Sequence, residues 1–191
     1  TIAVACTHLY ERLIGMDLLE INSDGELYAP HGVTDTPQYA PGVSPSPEIS
    51  NAAGMLPLTE RQRAMVRVSS HTEGRDGFYA LDGTLTTFWR PADDDETPVM
   101  TVNLQAPYLV GAARIIWRDI GLDYDGGAVP GPFRFILEGR PDNDIDEWIT
   151  LVDASDNDTE LHVDYREIKP VSCESVRLRI CGHPEGIRPG V

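Results

Sequence analysis

Residues 79–89, YALDGTLTTFW, set an Asp-Gly turn between an apolar dipeptide and a Thr-Thr-Phe-Trp run. Asp-Gly signals a tight turn, because Gly tolerates positive φ and the Asp side chain hydrogen-bonds its own backbone. Aromatics follow within a few residues, which anchors the turn to a core. An anchored turn here gathers the Asp82 carboxylate, the hydroxyls of Thr84, Thr86 and Thr87, and backbone carbonyls. That is the all-oxygen donor set taken by a hard cation such as calcium. On spacing alone, an ordinary turn capped by Asp82 is the simpler reading.

Outward from the turn, strand-like runs recur at short spacing: VRVSS before it, and VMTVNLQ, YLVGAARIIW, FRFILEG, EWITLVD, ELHVDY and SVRLRI after it. In SVRLRI, Val176, Leu178 and Ile180 alternate with Arg177 and Arg179, the pattern of a half-buried strand. Short alternating strands with turn clusters and little helix between them predict an all-β fold, an antiparallel β-sandwich or barrel over residues 58–191. LTERQRAMV carries Thr59 and Gln62 at capping-box spacing, which predicts a turn or two of helix. Residues 30–57, dense in Pro, Gly and Ser, read as a linker. Residues 1–29 hold a hairpin signature at 22–25, Asn-Ser-Asp-Gly.

A length of 191 residues suits one domain with an appendage. The 31 acidic against 15 basic residues give a net charge of −16, which argues against nucleic acid and anionic membrane surfaces as partners. No apolar run approaches the ~20 residues that span a bilayer. The opening TIAVACTHLY lacks the basic start of a signal peptide, and the missing initiator Met points to a processed or excised chain. Cys173 and Cys181 flank ESVRLRI, read as one extended strand that holds them beyond the ~7 Å reach of a disulfide. Cys6 pairing with one of them is an alternative to three reduced, buried thiols, which the odd total favours.

Binding groups concentrate on loops held by a rigid scaffold. Residues 69–79 offer His71, Arg75 and Tyr79, and residues 118–132 offer Asp119, Asp123, Tyr124 and Asp125. His71, Arg75, Tyr124 and Asp123 together suit the planar, hydrogen-bonding and stacking surface of a sugar site; a solvated loop is the alternative for each. Trp89, Trp117 and Trp148 lie in or beside strand patterns, where core packing is expected ahead of sugar stacking. No phosphate loop, nucleophile elbow, HExxH or CxxC pattern occurs, and no carboxylate pair stands out as a glycosidase's. His162 and His183 are isolated and need no metal, and residues 157–159 fit the common glycosylation acceptor pattern.

The stretches VRVSSHTEGRDGFYALDGTLTTFWRP, PVMTVNLQAPYLVGAARIIW, FRFILEGRPDNDIDEWITLV and SVRLRI resemble, in that order, the successive motifs of the discoidin or coagulation-factor type C family, which includes the family 32 carbohydrate-binding modules. The resemblance implies a jelly-roll β-sandwich with the galactose-binding-like fold and non-catalytic binding of carbohydrate. It also implies a structural calcium site, with Asp82 and Thr87 as side-chain ligands and carbonyls near Tyr79 and Thr84. Two departures stand out: no closing acid of the family's last strand occurs before GIRPGV, and GRPDNDIDEW replaces a simple Ser-x-Asp-Gly hairpin. The opening YERLIGMDLLEINSDGELYAP resembles the closing strands of family 43 glycoside hydrolases. That implies residues 1–29 as the tail of a tethered catalytic domain. The compartment stays open from the cysteine content, with an extracellular or cell-surface setting slightly ahead of the bacterial cytoplasm. The expected function is a calcium-stabilised carbohydrate-binding module of a polysaccharide-degrading hydrolase. The alternative is a structural module that packs against the catalytic domain without binding sugar.

Overall fold

The computed structural model describes residues 2–5, 13–16, 20–28, 58–59, 65–84, 86–118, 131–141 and 147–191. The chain divides into two compact units, Thr1–Leu56 and Pro57–Val191. In the first, β1 (Ile2–Ala5) pairs antiparallel with β2 (Leu13–Met16), and β3 (Glu20–Ile21) with β4 (Leu27–Tyr28). The β3–β4 pair is the hairpin expected at residues 22–25. Asn22 Oδ1 accepts the N–H groups of Asp24 and Glu26 at 3.0 and 2.9 Å, so one side chain holds both sides of the turn. The linker expected over 30–57, and Gln62 of the expected capping box, lie outside the described residues.

In the second unit, β5 (Val66–Val68), β6 (Val99–Ile116), β7 (Arg134–Arg140), β8 (Ile149–Ala154) and β9 (Val163–Gly182) form one antiparallel sheet in the order β5-β6-β9-β7-β8. Two strands are longer than the sequence runs suggested. VMTVNLQ and YLVGAARIIW join into β6, and ELHVDY and SVRLRI into β9, strands of 18 and 20 residues. Where a strand end was expected there is an irregularity instead. The β6–β9 register shifts between Asn103 and Tyr108. Gln105 takes φ +66°, and Asn103 Oδ1 accepts its N–H at 2.6 Å. Pro107 has no N–H to give the ladder, so pairing lapses there and resumes beyond it.

A straight strand of this length would run ~60 Å at ~3.3 Å per residue. β6 does not. Ile180 N–H donates to the Pro98 carbonyl at 2.9 Å, just before β6 begins. Ile180 also pairs with Phe135, whose ring lies 5.6 Å from that of Trp117, just after β6 ends. Both ends of the strand therefore meet at one phenylalanine, and the ribbon of residues 108–116 with 163–173 folds back over the sheet as a second layer. Trp89, Trp117 and Phe135 are fully buried between the layers, with Leu104, Val110, Ile115, Ile168, Leu178 and Ile180 around them. Trp117 stacks on Phe133 at 4.6 Å with the rings 5° from parallel. The second unit is thus an all-β antiparallel sandwich, as the strand pattern predicted.

Cys173 and Cys181 are both free and share β9. Cys173 is buried, and burial pushes its thiol pKa up. Cys181 is exposed, which corrects the expectation of buried thiols: Ile180 takes the inward position and alternation turns its neighbour outward. Cys6 lies outside the described residues.

The packing around Cys173 leads to a specific expectation. A Cβ at Gly139 would come within 2.5 Å of Cys173 Sγ and 3.0 Å of Leu151 Cδ1. Gly139→Ala is expected to destabilise the sandwich by ~1–3 kcal/mol through overpacking. Adding Cys173→Ala removes the clashing sulfur, so the double variant should be more stable than the sum of the single changes allows. Urea denaturation of the four proteins measures that coupling, and strict additivity would contradict it.

Candidate functional site

The chain leaves β5 into a loop whose base is tied by two serines. The Ser69 and Ser70 hydroxyls donate to Asp95 Oδ2 at 2.5 and 2.6 Å. Their oxygens accept the N–H groups of Val99 and Ala92, each at 3.0 Å, so each hydroxyl gives one bond and takes one. Burial works to raise the Asp95 carboxyl, yet the two hydroxyls and the Thr97 N–H outweigh it and hold the group below the usual carboxylate range. Trp89 Nε1 donates to the Ser70 carbonyl at 2.9 Å, fixing the loop to the core. Asp95 was not singled out in the sequence. It sits in the acidic run 93–96, and nothing local distinguishes it from its neighbours.

His71 and Arg75 stand on this base. His71 Nδ1 donates to the Thr72 carbonyl at 3.1 Å, and its Nε2 lies 3.7 Å from Asp76 Oδ2. The Arg75 guanidinium covers the Phe88 ring at 3.9 Å, and that of Arg118 lies 5.2 Å from the same ring. Phe88 is buried, so it forms an aromatic floor that attracts cationic groups. Thr72 N–H donates to the Arg90 carbonyl at 2.9 Å. The buried Thr72 Oγ1 and Arg90 Nε atoms have no hydrogen-bond partner among the described residues, a rare condition for buried polar atoms. Asp119, Asp123, Tyr124 and Asp125 lie outside the described residues.

The 3₁₀ helix Gly77–Leu81 carries the chain to the Asp-Gly turn, with Asp76 Oδ1 accepting the Phe78 N–H at 3.4 Å. Gly83 has φ +74°, which explains the glycine after Asp82. Asp82 Oδ1 accepts the Thr84 N–H at 3.0 Å, and Oδ2 accepts the Thr87 hydroxyl at 2.6 Å. Thr84 Oγ1 lies 2.6 Å from Thr87 Oγ1 and 3.2 Å from Thr86 Oγ1. The structure thus brings Asp82, Thr84 and Thr87 into one oxygen cluster, joined by Thr86. The Tyr79 ring packs on Phe78 at 4.1 Å. No group of three or more His, Cys, Asp or Glu gathers among the described residues. A cation here would rest on one carboxylate with hydroxyl and carbonyl oxygens, a donor set that fits a hard ion. After β9 the chain returns to this region, where Trp89 and Val191 exchange N–H···O bonds of 2.7 and 3.1 Å.

Trp89 and Trp117 are core residues, as expected, but Trp148 is not. Thr150 pairs with the outward Glu138, and Trp148, two residues away, shares that face. The Asn157 side chain donates to the Phe133 and Thr159 carbonyls at 3.0 and 2.9 Å, so the nitrogen a glycan would take is held within the fold.

No protein-family model matches the chain, and no curated protein does. Solved structures do. Chitosan-binding module 1 of a chitosanase/glucanase from Paenibacillus sp. IK-5 matches with a TM-score of 0.53 at 16% identity, over 65% of this chain and 87% of that one. Module 2 of the same enzyme, in complex with chitotriose, matches with a TM-score of 0.53 at 16% identity, over 65% and 88%. The family 32 carbohydrate-binding module of Clostridium perfringens NanJ, in complex with galactose, matches with a TM-score of 0.52 at 14% identity, over 68% and 91%. At these identities the likeness is one of fold.

The clasp at Asp95 makes the loop base sensitive to acid. Asp95→Asn is expected to cost ~1–3 kcal/mol at neutral pH by weakening hydrogen bonds to a charged acceptor. The folded carboxyl titrates below its unfolded value of ~3.9, so its contribution is complete above that value and is lost as pH falls through the folded one. The stability gap between the parent protein and the variant, measured by chemical denaturation, should therefore close in acid. A gap unchanged from pH 7 to pH 3 would contradict the assignment.

Proposed function

We propose that Pro57–Val191 is a non-catalytic carbohydrate-binding module, stabilised by calcium at its Asp-Gly turn and tethered to a polysaccharide-degrading glycoside hydrolase. The observation that carries this reading is the sandwich fold it shares with modules solved with chitotriose and galactose. The loop cluster supplies suitable chemistry. Arg75, laid flat on Phe88, offers in-plane donors for sugar hydroxyls, and His71 adds a second hydrogen-bonding edge. The unpartnered Thr72 Oγ1 and Arg90 Nε are capacity that a ligand or its waters would use. Asp123 and Tyr124, assigned to the same surface from the sequence, would be the remaining members of the proposed site.

Calcium would be held by Asp82, Thr84 and Thr87 with carbonyls near Tyr79, and the gathered oxygens of the turn support it. The ion would cross-link the turn that leads into Phe88 and Trp89, stiffening the floor beneath Arg75. The chitosanase/glucanase origin of two fold relatives supports a hydrolase as the tethered partner, and the resemblance of residues 10–30 to closing strands of family 43 supports that parentage. Binding by the module would raise the local substrate concentration for the enzyme it accompanies.

Calorimetric titration with galactose, chitotriose and neutral plant oligosaccharides tests the reading. One sugar class should give saturable heat, weakened about tenfold or more (~1.4 kcal/mol) by Arg75→Ala without loss of fold. A folded protein silent across the whole panel would instead support a packing module, a reading already favoured by the full burial of Trp89 and Trp117 and the occupation of Arg75 by Phe88.

Chelation should lower the melting temperature and leave sugar affinity nearly unchanged. Calcium at about a hundred times its Kd should restore ~2.7 kcal/mol, and Asp82→Asn should abolish that response. A melting temperature indifferent to calcium and chelator in the parent protein would remove the ion from the account.

A further inference from the structure

Strand register lays two rows of side chains across the outward face of the five-stranded sheet. Arg67, Thr101, Arg177, Glu138 and Thr150 form one, from β5 through β6, β9 and β7 to β8. Asn103, Ser175 and Arg140 are cross-strand partners in the next. One step beyond the Val66–Val102 and Gly139–Ile149 pairs, that second row ends at Met65 on one side and at Trp148 on the other. The row is thus apolar at both ends and polar between them. Along it lies a groove of about 290 Å³, lined in part by Met65, Arg67, Thr101, Asn103, Trp148 and Ser175. That volume is at the lower end for small-ligand sites.

Much of this lining is fixed by the fold. Ser175 is buried, and its Oγ accepts Arg140 Nη2 at 3.2 Å, which leaves the hydroxyl proton to donate. Asn103 Oδ1 is bound to the Gln105 N–H at 2.6 Å, so the amide's other end is a donor as well. The Arg177 guanidinium lies 4.1 Å over the Trp148 ring and covers one of its faces. The indole is thereby held in place, while part of its surface still lines the groove. Met65 and Arg67 are exposed on the edge strand side, two residues apart and therefore on one face.

Apolar ends with hydroxyl, amide and guanidinium groups between them match the two sides of a sugar ring. Its C–H face is covered by an apolar wall, and its hydroxyls are met by a few polar groups set on a rigid frame. A planar guanidinium adds parallel N–H groups that reach two adjacent oxygens at once. We infer that the groove is a second saccharide site, in which an uncharged oligosaccharide lies across the strands. Its C–H faces rest against Met65 and Trp148, and its hydroxyls meet Arg67, Thr101, Asn103 and Ser175. Together with the loop cluster it would let one module hold a polysaccharide at two points, which raises avidity without any tighter single contact. The ligand class rests on the carbohydrate-binding reading of the fold, while the location rests on the sheet face alone.

Trp148 supplies a reporter, because Trp89 and Trp117 are fully buried in the core. Titration of the full chain with galactose, xylotriose and cellotriose, followed by heat and by acrylamide quenching of tryptophan fluorescence, tests the site. At least one of these sugars should bind saturably, protect Trp148 from the quencher, and retain both effects in Arg75→Ala. Arg67→Ala joined with Thr101→Val should weaken that binding about tenfold or more, and Trp148→Phe should remove the fluorescence response. Should the double variant fail to fold, Arg67→Ala alone, at the exposed edge, is expected to weaken binding in the same direction. Equal protection of Trp148 by glycerol, or binding unaltered by the groove variants, would overturn the site. Sugar binding that is lost with Arg75→Ala and never protects Trp148 would overturn this inference and leave the loop site standing. A folded chain silent to every sugar would overturn both.

Discussion

The long ladder between β6 and β9, and its interruption between Asn103 and Tyr108, is the constraint on which the second unit depends. An unbroken pair of this length would be an extended ribbon with two exposed faces, and two-stranded ribbons have little stability of their own in water. The irregularity converts it into both layers of a sandwich. Gln105 takes positive φ, the Asn103 side chain satisfies its N–H, and Pro107 withdraws a donor, so the ribbon can turn without stranding a buried polar group. Trp117 on Phe133 and Phe135 then closes the fold, because burying those rings recovers apolar area that neither layer could hide alone.

From that arrangement the two faces of β9 acquire separate tasks. Leu178 and Ile180 point into the core, and the intervening Arg177 and Arg179 reach the same outward carboxylate, Glu138. A carboxylate as buried as Glu138 is stable only with such partners, and one of them, Arg177, is in turn packed against Trp148. The loops at the end of the sandwich are set by a different device. Ser69, Ser70 and Asp95 form a hydrogen-bonded clasp beneath His71 and Arg75, and Trp89 joins that clasp to the hydrophobic interior. Both surfaces are therefore rigid where they matter, one held by ion pairs on a sheet and the other by hydroxyl bonds at a loop base.

The Asp-Gly turn shows how far local chemistry can be read. Gly83 at positive φ, Asp82 bonded to Thr84 and Thr87, and a following tryptophan buried in the core all follow from residues within one short stretch. Trp148 shows the limit. Its strand pattern resembles that of a core residue, yet its face is decided by the pairing of Thr150 with Glu138 across a bulge. Phe88 as the floor under Arg75 and Arg118 was likewise invisible along the chain, whereas the outward turn of Cys181 follows from the alternation that places Ile180 inward.

What the sequence determined by itself was everything with a short range: the alternation of SVRLRI, the hairpin at Asn22 and Gly25, the Asp-Gly turn, and the short alternating strands with little helix between them that pointed to a β fold. Tertiary structure alone decided that four strand runs are two strands, that one tryptophan lies outside the core, and that Asp95 among three adjacent aspartates clasps serines 25 and 26 residues upstream. Turn geometry and side-chain alternation are settled between neighbours a few bonds apart. The partner across a ladder, and the face a residue takes beyond a bulge, are settled only when distant segments compete to bury the same apolar area.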